Sequence, residues 1–362
     1  MATRHTHFAG ARAIVRKAVL KAALLLLLFP ALARPDPAEE ALNEGLNLHD
    51  AGRIKEAIAL YDRALRLNPR FAEAYYNRGN AYYDLGQNER AIKDYGEALK
   101  LNPKDAEAYY NRGNAYRRLG QHERALRDYS AAIRLAPEDP QAYINRGGIY
   151  SALKSYERAL ADFSAAIRIN PKDAEAYYNR GNVYSRMGKT ADAVEDYTRA
   201  LALNPDFLEA RHNRGVAYLE TGEMEKAIED FSALLRAHPE SAAAYYNRGL
   251  ARFHLGQNEQ AIEDYDEALR LNPKDTEAMY NRGLAYSRLG DYERAARDFT
   301  EVIVLSPRNA EAYAQRGLVR LHQANEAAAA ADFNRAYQLD AGIKKKLQPL
   351  IEEVKSRPKT KR

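Results

Sequence analysis

The 362 residues include no cysteine and no tryptophan. Without cysteine, thiolate chemistry and zinc held by sulfur are excluded, and export requires no disulfide pairing. Histidine is sparse. The eight present never stand four apart, as a helical metal pair would, and neither HExxH nor GxSxG occurs. His254 and His322 read as groove or surface polar residues. Carboxylates are plentiful but periodic, which marks solvated helix faces rather than an acid and base pair. Glycine is scarcer than its count of twenty suggests. Nine glycines recur at a constant step of 34 residues: Gly45, Gly79, Gly113, Gly147, Gly181, Gly215, Gly249, Gly283 and Gly317. Seven more (Gly52, Gly86, Gly120, Gly188, Gly222, Gly256, Gly290) fall at turns. Gly10, Gly96, Gly148 and Gly342 remain, too scattered for a phosphate-cradling loop. No catalytic residue, no metal ligand and no cofactor site is expected.

Net charge is also missing once the N-terminus is set apart. Arg4, Arg12, Arg16, Lys17 and Lys21 precede position 34 in a stretch without Asp or Glu. The other 50 basic residues balance 50 acidic ones, so no nucleic-acid surface is expected. After the basic start come the apolar run Ala22 to Phe29, Pro30, and an A-x-A pattern ending at Ala33. Residues 1–33 read as a secretory signal peptide cleaved after Ala33, directing the chain to a bacterial periplasm or cell envelope. The run is too short to span a bilayer comfortably, so the mature chain is expected to have no integral membrane span. The alternative is a leader that is retained as an anchor.

What the sequence does have is a period. After a short linker at 34–37, nine units of 34 residues fill 38–343, beginning at Ala38, Ala72, Ala106, Pro140, Ala174, Leu208, Ala242, Thr276 and Ala310. In the second unit, Tyr75, Gly79 and Tyr82 share one helical face that Leu85-Gly86 closes. Ala91, Tyr95 and Ala98 mark a second amphipathic helix that stops before Asn102-Pro103. Small residues at Gly79 and Ala91 allow close approach, and Tyr82 and Tyr95 are expected to fill the space between units. One such hairpin cannot bury its apolar face alone, so neighbours must stack.

The series Tyr109, Gly113, Tyr116, Ala125, Tyr129, Ala132, Pro137 resembles the tetratricopeptide repeat, in an Asn-Arg-Gly form. Tyr stands where that family often has Trp, and Arg112 where it prefers Leu. The resemblance covers nearly all of the mature chain. It implies an all-α fold, an α-solenoid in which helix-turn-helix units stack into a right-handed superhelix. The Arg has a sequence partner. Arg78, Arg112, Arg146, Arg180, Arg214, Arg248, Arg282 and Arg316 are matched within their units by Asp94, Asp128, Asp162, Asp196, Asp230, Asp264, Asp298 and Asp332. Both places lie equally far from the turn, which predicts a bridge across every hairpin but the first, where Glu44 and Leu60 stand instead. The end units are atypical: Ala41 and Leu48 replace aromatics in the first, and Ala324 replaces the turn glycine in the ninth. Ile343, Leu347, Leu350, Ile351 and Val354 suggest a capping helix over 344–354, with Pro349 opposing its continuity, and 355–362 is a basic tail.

With the patterned positions committed to packing, function falls to the repeated surface. Glu73, Asn77, Asn80 and Asp84 share a stripe opposite the packing side. The resemblance implies that this stripe lines a concave groove. Asn43, Asn77, Asn111, Asn145, Asn179, Asn213, Asn247 and Asn281 form a ladder along it, ending at Gln315. A carboxamide offers both donors and an acceptor to a peptide backbone of any sequence. The ladder resembles the one in the repeats of O-linked N-acetylglucosamine transferases, which hold extended polypeptide. Tyr76, Tyr110, Tyr178, Tyr246 and Tyr280 run alongside, joined by Asn80, Asn114 and Asn182. In the sixth unit Arg211 and His212 break the tyrosine pattern. Glu73, Glu107 and Glu175 occupy the stripe where a clamp for a C-terminal carboxylate needs Lys and Arg. The expected partner is a protein or peptide segment, held without catalysis. Weak contact of the basic tail with an anionic surface is a minor expectation. The alternatives are a membrane-anchored envelope or assembly factor and a glycan-binding or small-ligand-binding protein.

Overall fold

The computed structural model describes residues 36–356, so the leader and the last six residues lie outside the described residues. Nineteen helices and no strand occur among the described residues. The described residues divide after Pro137 into two compact units, 36–137 and 138–356. The first holds three hairpins: α1 (Pro37–Asp50) with α2 (Ile54–Leu67), α3 (Ala72–Asp84) with α4 (Asn88–Leu101), and α5 (Ala106–Arg118) with α6 (His122–Leu135). The second opens with α7 (Pro140–Ala152), α8 (Tyr156–Ile169), α9 (Ala174–Arg186), α10 (Thr190–Leu203), α11 (Leu208–Thr221) and α12 (Met224–Ala237). It continues with α13 (Ala242–His254), α14 (Asn258–Leu271), α15 (Thr276–Arg288), α16 (Tyr292–Leu305), α17 (Ala310–His322), α18 (Glu326–Leu339) and α19 (Ile343–Ser356). Within each unit every helix packs on its chain neighbours, which is the arrangement of an all-α solenoid.

Local chemistry sets the helix ends. Asp105, Asp139, Asp173, Asp275 and Asn309 each accept a backbone N–H of the helix they precede. Hairpin turns need one residue in the left-handed region. Glycine meets that need at seven turns, whereas Lys154 and Ala324 adopt it at φ 57° and 60°. The second helices of the first eight hairpins end at the residue before proline, as at Asn102 (φ −129°).

The recurrent packing glycine has a steric cause. A methyl group at Gly79 would lie 2.8 Å from Tyr95 Cε1, and one at Gly317 would lie 2.5 Å from Phe333 Cε1. The Tyr95 ring is fully buried on Gly79 inside its own hairpin, rather than in the space between units. Tyr82 is half-buried, with the guanidinium carbons of Arg78 and Arg90 at 5.9 and 5.5 Å from its ring centre.

The arginine and aspartate columns meet in all eight hairpins. Arg180 Nε donates to Asp196 Oδ2 at 2.8 Å and Nη2 to Oδ1 at 2.7 Å, and the other seven pairs repeat this fork. The aspartates are buried, Asp196 to 3 % exposure, and their arginine partners are half-buried. The third nitrogen reaches the preceding hairpin. Nη1 of Arg78, Arg180, Arg214, Arg248, Arg282 and Arg316 donates to Asp62, Ser164, Thr198, Ser232, Asp266 and Thr300 respectively. One guanidinium thus closes its own hairpin and ties it to the one before.

The last helix, α19, runs through Pro349, which faces solvent, where the carbonyl it leaves without a donor can be hydrated. Ile343, Leu347 and Ile351 are buried with Leu321 and Phe333, whereas Leu350 is 42 % exposed and contributes nothing to that contact.

Candidate binding surface

The carboxamide column and the phenols beside it interlock between adjacent hairpins. Asn111 Nδ2 donates to Tyr76 Oη at 2.9 Å and to Asn80 Oδ1 at 3.2 Å. Asn213 Nδ2 does the same with Asn182 Oδ1 at 2.9 Å and Tyr178 Oη at 3.4 Å, and Asn281 Nδ2 reaches Tyr246 Oη at 3.1 Å. Asn80, Asn114 and Asn182 also accept from the buried phenols Tyr95, Tyr129 and Tyr197 at 2.7, 2.7 and 2.8 Å.

Those contacts depend on what the preceding hairpin offers, and the column divides accordingly. Ahead of Asn77 the places of Tyr76 and Asn80 are held by Leu42 and Leu46. Asn77 is accordingly buried, and its Nδ2 turns back to the Glu73 carbonyl at 2.8 Å. Asn114 is also buried. Ahead of Asn179 stand Ile144 and Gly148, and ahead of Asn247 stand His212 and Val216. Neither Asn179 nor Asn247 has a hydrogen-bond partner among the described residues, and both are half-buried. Asn145 and Tyr110, half-buried, and Asn114 are all engaged in contacts of their own.

Burial pushes the Tyr246 and Tyr280 phenols up to about 12, with Glu277 and Glu311 adding to the effect, so both remain protonated donors at neutral pH. Burial, reinforced by Glu107, likewise raises Tyr76. In the sixth hairpin Arg211 is drawn onto the Pro205 carbonyl at 2.6 Å, and His212 lies edge-on to Phe231 at 5.8 Å, its imidazole held below the ordinary range by burial. Among the described residues no three His, Asp or Glu side chains are grouped to hold a metal, and no helix is long and apolar enough to cross a membrane.

The interlocking was missed in the sequence, although its signal is there. Contacting residues stand 35 apart for Asn to Tyr and 31 apart for Asn to Asn, so each is a pairing of columns offset from the 34-residue period.

Repeated helical hairpins with a recurring amide and phenol face define a helical-repeat scaffold, a class that binds protein or peptide partners. Family models described as TPR repeat match residues 45–86, 79–120, 147–188 and 249–290, and others described as tetratricopeptide repeat match 106–139, 174–207, 196–229 and 276–309. The chain belongs to the tetratricopeptide repeat family. No curated protein matches it. Among solved structures, YrrB, a TPR protein with an unusual peptide-binding site, is 28 % identical over 51 % of this chain and 95 % of its own, with a TM-score of 0.48. MamA is 26 % identical over 46 % and 96 %, with a TM-score of 0.44. PilF of Pseudomonas aeruginosa is 17 % identical over 57 % and 93 %, with a TM-score of 0.50, a likeness of fold alone.

Proposed function

We propose that this Asn-Arg-Gly form of the repeat is a non-catalytic scaffold that holds extended polypeptide along the asparagine and tyrosine face, in the bacterial periplasm or envelope after removal of residues 1–33. The observation that carries the reading is the pair of carboxamides without a partner. Asn179 and Asn247 are half-buried with both donors and the acceptor unspent, whereas Asn111, Asn213 and Asn281 of the same column are held by the preceding hairpin. A peptide backbone supplies the complementary pair. Asn111, Asn213 and Asn281 hold the hairpins in register and present their carboxamide oxygens alongside.

Titration of the full chain with an extended-peptide library tests this. Replacing Asn179 and Asn247 together by Ala should weaken the best peptides at least about fivefold, one hydrogen bond being worth about 1 kcal/mol, and leave the urea midpoint unchanged. Equal binding by wild type and variant overturns the assignment. N-terminal sequencing of the exported protein checks the compartment: a mature chain starting at Arg34 is expected, and an intact leader favours an anchored protein.

A further inference from the structure

Adjacent hairpins touch at one more repeated place, where the last residue of a first helix meets the residue 35 before it. His49 Nε2 lies 2.9 Å from Asp84 Oδ2. Arg118 stacks on Tyr83, its guanidinium carbon 3.7 Å from the ring centre, and Nη1 donates to the Tyr83 carbonyl at 3.1 Å. Arg288 treats Phe253 in the same way, at 3.6 and 2.8 Å, and Arg186 Nη1 donates to Ser151 Oγ at 3.1 Å.

Between α9 and α11 the same two places hold Ser185 and Glu220. A hydroxymethyl group stands where Tyr83 and Phe253 supply a ring, and a carboxylate where Arg118 and Arg288 supply a cation. A cavity of about 290 Å³ lies there, lined by Tyr178, Asn182, Ser185, Arg186, Asn213 and Glu220 among others. Glu220 Oε2 accepts from Thr190 Oγ1 at 3.3 Å, and no cation reaches the carboxylate among the described residues. Asn213 Nδ2 is taken by Asn182 and Tyr178, which leaves its oxygen as an acceptor. The half-buried Tyr178 supplies an aromatic wall, backed by the buried Tyr197 ring 6.1 Å behind it.

We propose that this cavity is a subsite for one arginine side chain of the bound polypeptide, its guanidinium pairing with Glu220 beside the tyrosine wall. The fold seats a guanidinium of its own at this place in three other junctions, stacked on a ring in two of them, so the place suits the size of the group. The nearby Arg186 does not claim Glu220, because its Nη1 is directed to Ser151. The inference rests on the polypeptide reading above and adds a side chain to it.

The test is calorimetry of the full chain with an Ala- and Ser-rich extended peptide carrying one central arginine, and with the same peptide carrying citrulline, its neutral isostere. Glu220 is exposed, so wild type should prefer arginine about two- to fivefold, the worth of a solvent-screened ion pair. Glu220→Arg, which places a guanidinium there as at Arg118, Arg186 and Arg288, should abolish the preference and keep citrulline-peptide binding. Equal affinity of wild type for the two peptides, or a preference that survives Glu220→Arg, overturns the subsite and leaves the scaffold reading standing. If neither peptide binds, the scaffold reading fails. N-acetylarginine amide titrated by NMR then decides the subsite alone. A saturable shift at Ser185 and Glu220 that Glu220→Gln removes supports it, and no shift overturns it.

Discussion

A buried phenol needs an acceptor, and at the packing position opposite each recurrent glycine the choice between Tyr and Phe follows the residue fifteen places earlier. Tyr95, Tyr129 and Tyr197 donate to Asn80, Asn114 and Asn182. Phe163, Phe231, Phe299 and Phe333 stand with Gly148, Val216, Leu284 and Leu318, none of which can accept from a hydroxyl. Tyr61, with Leu46 fifteen places earlier, and Tyr265 break the rule. In the case of Tyr265 the consequence is direct. Leu250 holds the acceptor's place, and the Tyr265 hydroxyl is buried without a partner. An unmet buried donor costs roughly 1–3 kcal/mol, whereas a satisfied one contributes about 1. Tyr265→Phe should therefore be neutral or stabilise by up to about 1 kcal/mol, while Tyr197→Phe should destabilise by a similar amount. Urea unfolding of the two variants checks this, and a Tyr265→Phe midpoint below that of Tyr197→Phe contradicts it.

At the scale of the element, the hairpin is closed by a fork that repeats with little variation. Its worth is not simply stabilising. Desolvation holds the Asp196 and Asp298 carboxyls above their ordinary range even with a guanidinium against each, so much of the attraction is spent in taking charge out of water. The pair specifies register more than it adds stability. Arg180→Leu alone strands Asp196 and should cost about 3 kcal/mol. Replacing both Arg180 and Asp196 by Leu removes the stranded charge together with its partner. The double variant should thus lose clearly less than the sum of the two single ones in a double-mutant cycle, and strict additivity would show that the two side chains act independently.

At the scale of the whole molecule, the 34-residue period made the hairpins, their turns and the Arg to Asp bridge legible in the sequence, because each belongs to a single unit. Contacts between units were not legible. A period shows which residues are equivalent, but how far one hairpin is displaced on the next decides that Asn111 meets Tyr76 and Asn80, or that Arg180 reaches Ser164. For the same reason Asn77 and Asn111 look alike in sequence, yet one is buried against its own helix and the other laces two hairpins. Energetics should follow this neighbour-to-neighbour architecture. Ending the chain at Gly342 uncovers Leu321 and Phe333, now buried under Ile343, Leu347 and Ile351 of α19. Each large apolar side chain returned to water costs about 1.5–3 kcal/mol, and the ninth hairpin bears that loss directly. Hydrogen exchange read by mass spectrometry should therefore quicken in α17 and α18, less in α15 and α16, and stay unchanged from Pro37 to Leu135. Equal acceleration along the whole chain would mean that the hairpins unfold as one cooperative body, and the additive nearest-neighbour account of their stability would have to be given up.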